Sequence, residues 1–280
     1  MTNSQVCILG AGNMGRALLG GLLRSGTRAE HLSAAEILPA GRAELARELG
    51  ISALADAQAA IAGAAVVVVA VKPQEVRAVL TPLADALRRA QPLVISVVAG
   101  LRTPEIESWC PGVAVMRAMP NRAALIGAGA TGLYAPASIS PAQRTLAEEV
   151  MSTVGEVVWV ETEEALDVVT ALSGSGPAYF FLLAELMAEA AEQLGLATTT
   201  AQRLAVATLR GSGLMLQSPD ADLAQLRAQV TSPGGTTQAA LEAFQRADLR
   251  GSVRRALAAA TQRSREMAAT STEAPRRPPA

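Results

Sequence analysis

Two cysteines, one histidine and one lysine are all that 280 residues contain of these three reactive side-chain types. Cys7 and Cys110 form no spaced pair of the kind that reads as a zinc or redox site, and a single distant pair is a weak disulfide framework, so both are expected as buried thiols and no metal site is expected. Net charge is nearly absent as well: Lys plus Arg number 24 against 25 for Asp plus Glu. With no excess of either sign, no long-range field draws the chain to nucleic acid or to an anionic membrane, and a small molecule is the expected ligand. Long apolar runs are also missing. Ala64–Val71 is read as the most apolar stretch and falls far short of the ~20 residues of a membrane helix. Met1–Gln5 leads almost directly into an apolar strand without a basic region, apolar core and cleavage site in succession, so the expected location is the cytoplasm.

What is present is apolar and periodic. Half of the residues are hydrophobic (50%), enough for a sizeable core, and the length suggests two domains. Short β-branched runs at Val6–Gly10, Leu32–Glu36, Val66–Val71, Leu93–Val98, Val113–Ala118 and Val157–Val160 alternate with Ala/Leu-rich amphipathic stretches, the pattern of a doubly wound parallel α/β sheet with crossover helices. Val66–Val71 lacks polar alternation, which places it centrally, covered on both faces. Beyond about Glu161 the strand signal stops, and helices are expected at Glu163–Leu194, Thr200–Gln217, Ala221–Gln229, Thr236–Arg246 and Leu249–Met267. The expected organisation is a dinucleotide-binding, Rossmann-type domain over 1–161, an all-helical domain over 162–267, and a disordered tail over 268–280 that is too polar to pack. The first two helices of the second domain carry Leu, Val, Met, Ala and Phe on more than one face, so an obligate dimer is expected.

The strand Val6–Leu9 runs into Gly10-Ala11-Gly12-Asn13-Met14-Gly15, and an apolar helix follows at once. In that context the GxGxxG spacing has a mechanism: Gly10 makes the tight turn, Gly12 lets the backbone approach a pyrophosphate, and Gly15 lets the helix pack close to the strand. The helix N-terminus then faces the phosphates with unpaired N–H groups. Glu36, 21 positions beyond Gly15, ends the second strand, where a carboxylate accepts hydrogen bonds from an adenosine ribose and repels a 2′-phosphate. NAD(P)H is the expected cofactor, with NADH slightly favoured.

With these residues in place the chain resembles the pyrroline-5-carboxylate reductase family from Val6 to about Met267. The helical half carries the specificity. Gly174-Ser175-Gly176-Pro177-Ala178-Tyr179 matches the family's GSGPAY segment, and Ser232-Pro233-Gly234-Gly235-Thr236-Thr237 matches its SPGGxT loop. Ala70-Val71-Lys72-Pro73 and Met119-Pro120-Asn121 add to the match, while Arg122-Ala123 stands where relatives often have Thr-Pro. The resemblance implies reduction of pyrroline-5-carboxylate to proline, a helical domain that dimerises, and assembly of dimers into rings such as a decamer. It implies cofactor contacts from Gly10, Ala11, Gly12, Asn13, Met14, Gly15, Glu36, Ala70, Val71, Lys72, Pro73 and Ala99. It implies substrate contacts from Ser173, Ser175, Thr231, Ser232, Pro233, Gly234, Gly235, Thr236 and Thr237, with the loop holding the substrate carboxylate at the dimer interface. Physical chemistry agrees, because Pro233-Gly234-Gly235 at a helix entrance leaves N–H groups open to an anion.

Two other functions go with this architecture, and the residues speak against both. A β-hydroxyacid dehydrogenase shares this architecture and relies on a lysine from the helical domain, yet Lys72, the one lysine, follows the strand Val66–Val71. His31 precedes the second strand, so a histidine proton carrier is missing from the helical half too. A non-catalytic nicotinamide sensor has no use for the intact Ser232–Thr237 substrate loop. Thr237 and Lys72 are therefore the candidate catalytic residues, Thr237 as the hydroxyl that hydrogen-bonds the imine nitrogen.

Overall fold

The computed structural model describes residues 4–218 and 220–272. Its sheet has eight strands: β1 (Val6–Leu9), β2 (Leu32–Ala35), β3 (Ala53–Leu54), β4 (Val66–Val69), β5 (Leu93–Ser96), β6 (Ala114–Met119), β7 (Gly129–Tyr134) and β8 (Gly155–Trp159), in the order 3-2-1-4-5-6-7-8. Strands β1 to β6 are parallel, and β4 lies between β1 and β5 with all four valines fully buried, as its unbroken apolar run predicts. Successive side chains of a strand point to opposite faces, so β1 feeds two cores. Val6 and Ile8 join Leu18, Leu19 and Leu22 of the helix Asn13–Arg24, while Cys7 and Leu9 join Val76, Leu80, Leu87 and Ile106. Each fully buried Leu or Ile contributes about 1.5–3 kcal/mol relative to exposure.

The far edge of the sheet departs from the expected purely parallel arrangement. β7 pairs antiparallel with β6, and β8 runs parallel to β7 and so against the rest. The short connection Pro120–Ala128 is enough for an antiparallel neighbour, whereas a parallel one needs a full crossover. Its sequence, Gly-Ala-Thr-Gly-Leu-Tyr, hides β7 because glycine weakens a strand signal. The glycine is there for packing: a Cβ on Gly132 would lie 2.7 Å from Cγ1 of Val169.

The described residues pack as two compact units, one holding 4–174 together with 260–272, the other lying within Ser175–Ala259. The strand signal ends near Glu161, but the next residues are tied into the first unit by buried ion pairs. Glu163 Oε1 accepts from Arg117 Nη1 at 3.0 Å and from the Thr103 N–H at 2.7 Å; Asp167 accepts from Arg102 Nη2 at 2.5 Å and from Ser264 Oγ at 2.7 Å. Burial holds the Arg117 pKa below its ordinary value, and hydrogen bonding and charge from Glu163 offset part of that cost.

The single helix expected over Glu163–Leu194 is broken. Ala165–Val169 is α-helical, Thr170–Gly174 forms a π-turn, and Gly176–Gln193 resumes as α-helix with Pro177 in its first turn. This run, Ala165–Gln193, is less apolar per residue than Ala64–Val71 but is long and apolar enough by composition to cross a membrane. One such helix is weak evidence for a membrane span, and a subunit interface has the same composition. Helices follow at Thr198–Met215, Leu223–Gln229, Thr236–Arg246 and Leu249–Thr272. The last corrects the expected tail: Ala268–Thr272 is helical and Ala268 is buried; residues 273–280 lie outside the described residues.

Within the second unit the buried apolar contact between the helices Gly176–Gln193 and Thr198–Met215 is made by small residues, Ala188, Ala191, Ala201 and Ala205. Phe180 is 60% and Phe181 64% exposed, and Leu182, Leu186, Met187, Leu204 and Val206 are exposed as well. A face this apolar marks an interaction surface.

Candidate active site

The strand order reverses beside β1, between β1 and β4, and in open sheets of this kind ligands bind outside the carboxyl ends of the strands at that point. Gly10 ends β1 there with φ +103°, and a Cβ on it would lie 2.8 Å from the Ala70 carbonyl oxygen that follows β4. A Cβ on Gly15 would lie 2.1 Å from the Gly10 oxygen, so this glycine sets how closely helix and turn approach. Gly12 differs: nothing stands within 4 Å of where its Cβ would be. It is the N-cap of the helix Asn13–Arg24 and no side chain caps that end, so the first-turn amides face an open cradle. Such a cradle fits the pyrophosphate of a dinucleotide.

Ala11 is held at both ends of its peptide. Its N–H donates to Glu36 Oε2 at 3.1 Å, and its carbonyl accepts from Arg16 Nε at 2.8 Å. Glu36 Oε1 also accepts the Leu38 N–H at 2.8 Å, so the carboxylate is directed at the glycine-rich turn rather than into solvent. Gly41 makes room for it, since a Cβ there would lie 2.9 Å from Glu36 Cγ. Arg42 Nη1 donates to the carbonyls of Glu36 and Ile37 at 2.8 and 2.9 Å. Arg16 in turn pairs with Glu44 and Glu48 of the helix Pro39–Leu49, and holds the Glu44 carboxyl below the usual range.

Sequence reading missed Arg16, Gly41 and Arg42. The signal for Arg16 was a cation in the first turn of a helix, where the dipole disfavours it unless carboxylates answer it.

Ala70, Val71, Lys72 and Pro73 follow β4 at the same edge, and Ala99 lies in the turn after β5. Lys72 is exposed, and its backbone N–H donates to Glu75 Oε2 at 3.3 Å. His31 sits at the amino end of β2, the opposite edge of the sheet. Cys7 and Cys110 are free and buried, as expected, and burial pushes each thiol up to about 11.

Ser173 lies in the π-turn, where its hydroxyl donates to the Val169 carbonyl at 2.9 Å, and Ser175 immediately precedes the helix Gly176–Gln193. Asn121 ties that turn to the sheet: its Nδ2 donates to the Ser173 carbonyl at 3.0 Å and its Oδ1 accepts the Ala130 N–H at 3.1 Å. The Arg122-Ala123 departure forms a helical turn, Arg122–Ile126, anchored by buried Ala124.

In the second unit the loop 230–235 ends on Gly235, the N-cap of Thr236–Arg246, again without a side-chain cap. Gly234 adopts φ +70°, its N–H donates to Gln238 Oε1 at 2.8 Å, and the Gly235 N–H donates to the Ser232 carbonyl at 3.0 Å. Thr231 donates its hydroxyl to the Arg227 carbonyl at 2.6 Å, and Ser232 and Pro233 are exposed. Thr237 is in the first turn, not at the cap, and its hydroxyl has no hydrogen-bond partner among the described residues. The Gly234 and Gly235 N–H groups, expected to stand open, are thus taken within the chain, and Pro233 has none; the entrance offers instead the uncapped first-turn amides from Thr236 onward and a hydroxyl unpaired among the described residues, with no charge in the loop, a surface suited to a carboxylate beside a polar ring.

Comparison with known proteins bears on both halves. Residues 163–267 match the family model described as pyrroline-5-carboxylate reductase dimerisation, and residues 5–100 match one described as NADP oxidoreductase coenzyme F420-dependent. The chain is similar to the pyrroline-5-carboxylate reductase of Pseudomonas aeruginosa, with 44% identity over 269 residues, covering 96% of this chain and 98% of the relative. It is similar in structure to the pyrroline-5-carboxylate reductase of Coxiella burnetii, with TM-score 0.92, 38% identity, and coverage of 95% of this chain and 99% of the other. The pyrroline carboxylate reductase of Plasmodium falciparum, solved with NADP bound, superposes with TM-score 0.80 at 25% identity, covering 96% and 99% of the two chains.

Proposed function

The chain belongs to the pyrroline-5-carboxylate reductase family, and we propose that it reduces the cyclic imine pyrroline-5-carboxylate to L-proline as an NAD(P)-dependent oxidoreductase. The observation that carries the reading in this chain is the uncapped helix entrance at Gly235 with the Thr237 hydroxyl, unpartnered among the described residues, beside it. A bound nicotinamide supplies the hydride. Gly10 to Gly15 receive its pyrophosphate, Glu36 its adenosine ribose, and Ala70 to Pro73 with Ala99 the rest of the dinucleotide.

Ser232 to Thr236 bind the substrate carboxylate, the loop Pro233-Gly234-Gly235 shaping the approach and the uncapped Thr236 N–H with the Ser232 and Thr236 hydroxyls donating to it; Thr231, Ser173 and Ser175 are further substrate contacts. Thr237 hydrogen-bonds the ring nitrogen. No ionisable side chain is needed as acid, because a cyclic imine is partly protonated near neutral pH and its iminium form already accepts hydride. A hydroxyl donates to a neutral imine or accepts from an iminium, so it serves either state. Lys72 borders the cofactor crevice, and its role is that of a charge beside the dinucleotide.

Glu36 supports a preference for NADH: its carboxylate is set by two backbone N–H groups where a 2′-phosphate would add a like charge. The exposed apolar faces of the helical unit support a homodimer, with rings of dimers such as a decamer as the larger assembly, and the reading places the enzyme in the cytoplasm. The test is a steady-state assay of the purified protein with pyrroline-5-carboxylate and each reduced nicotinamide in turn. Proline formation with a lower KM for NADH is expected, and no turnover with either cofactor refutes the assignment.

A further inference from the structure

We infer that Asn121 is a positioning residue for imine reduction, acting by fixing the Thr170–Gly174 π-turn against the strand β7. The reasoning starts from a missing donor. In an unbroken α-helix the Ser173 carbonyl would accept the N–H of the residue four positions on, which is Pro177 and has none. The Ala178 N–H is also taken, donating to the Ser175 carbonyl at 3.0 Å. The Asn121 Nδ2 supplies the bond, at 3.0 Å, while its Oδ1 accepts the Ala130 N–H from β7 at 3.1 Å. Both arms of a buried carboxamide are matched, one to an acceptor and one to a donor, so its orientation is determined and it rigidly links strand to turn.

The other end of the segment is already fixed. Glu163 and Asp167, just before the turn, are held by Arg102, Thr103, Arg117 and Ser264. Between these anchors the π-turn is the one stretch whose geometry is not set by a regular helix, and a π-turn interrupting an α-helix is a form often found at functional sites. Gly174 tightens the fit, since a Cβ there would lie 3.3 Å from Met119 Cε, two residues before Asn121. Asn121 therefore sets where Ser173 stands, and Ser175 follows it along the chain.

The inference rests on the reading of Ser173 and Ser175 as substrate contacts, and the experiment separates the two. Asn121→Asp keeps the shape and the acceptor for Ala130 but replaces the donor with a negative charge against the Ser173 carbonyl. The expected result is a rise of about tenfold to a hundredfold in the KM for pyrroline-5-carboxylate, with the KM for the nicotinamide within about twofold, because small misplacements of a reacting partner are costly. Amide hydrogen exchange across 170–176 should speed up in the same variant. Unchanged exchange, or a uniform loss of stability with both KM values moving together, overturns the positioning role. Should Asn121→Asp fail to fold, Asn121→Ser, too short to span both partners, is read in the same way. Ser175→Ala tests the underlying reading by itself: an unchanged KM for the imine in that variant removes the serine as a substrate contact and leaves the exchange result on Asn121 standing.

Discussion

The carboxylate of Glu36 accepts the Ala11 N–H at 3.1 Å, joining the end of β2 to the glycine-rich turn that ends β1. The residue that would meet the adenosine ribose is thus also part of what shapes the phosphate turn. Glu36→Ser removes the charge and leaves Arg42 as the nearby cation. The expected outcome is that the ratio of kcat/KM for NADH over NADPH falls by at least about tenfold, equivalent to about 1.4 kcal/mol. Equal or better efficiency with NADPH in the unmodified enzyme would show that the carboxylate does not govern the choice.

The two glycines on either side of Asn13-Met14 should fail in different ways. Gly15→Ala drives a methyl into the Gly10 carbonyl, 2.1 Å away, and should destabilise the fold by about 1–3 kcal/mol in a denaturant melt despite alanine's better helix propensity. Gly12→Ala meets nothing within 4 Å in the protein, so stability should hold within about 0.5 kcal/mol. Its methyl would occupy the phosphate cradle, and the KM for the nicotinamide should rise instead. A Gly12→Ala enzyme with native cofactor kinetics would place the pyrophosphate elsewhere.

Thr237→Ala separates chemistry from capping. Gly235 is the N-cap and the Thr237 hydroxyl bonds no described residue, so the melting temperature should not change. A hydrogen bond to a charged group is worth about 1.5–3 kcal/mol, so kcat/KM should fall about 10- to 150-fold. A lowered Tm with native turnover is the pattern of a mere helix-starting residue.

Phe180 and Phe181, both more than half exposed, should be buried by a second copy. Sedimentation is expected to show a dimer or a multiple of it at assay concentrations, and Phe181→Asp should shift the population toward inactive monomer. An active monomer of the unmodified protein would sink this expectation.

Burial, the larger cause for both, raises the Cys7 and Cys110 thiols from 9.0 to about 11. The folded chain therefore holds these protons more tightly than the unfolded one, and the contribution to stability is fully present below pH 9 and is lost as pH rises toward 11. Denaturant midpoints should fall across that window, and a thiol reagent at about pH 8 should label neither cysteine until the protein is unfolded. Fast labelling of the native protein would contradict the burial.

Much of this was legible in sequence because it is encoded locally. Val66–Val69 reads as a central strand from its own side chains, Gly10 to Gly15 read as a phosphate turn from strand before and helix after, and Thr236–Arg246 begins and ends where its pattern says. Steric limits and side-chain periodicity act over a few residues, and a few residues suffice to show them. Other features depend on partners far along the chain. Val169 packs on β7 because Gly132 leaves room for it, and the helix break at Thr170–Gly174 holds because Asn121 answers a carbonyl that Pro177 cannot. The helix Leu249–Thr272 runs past its expected end, and Ala268 within that extension is buried by the folded chain. The sequence around Arg16, Arg102 and Arg117 carries no signal of the particular carboxylates from distant segments that folding sets against them. Local propensity determined which elements form; burial and the pairing of buried polar groups, which only the folded chain brings together, decided how they end, join and are held.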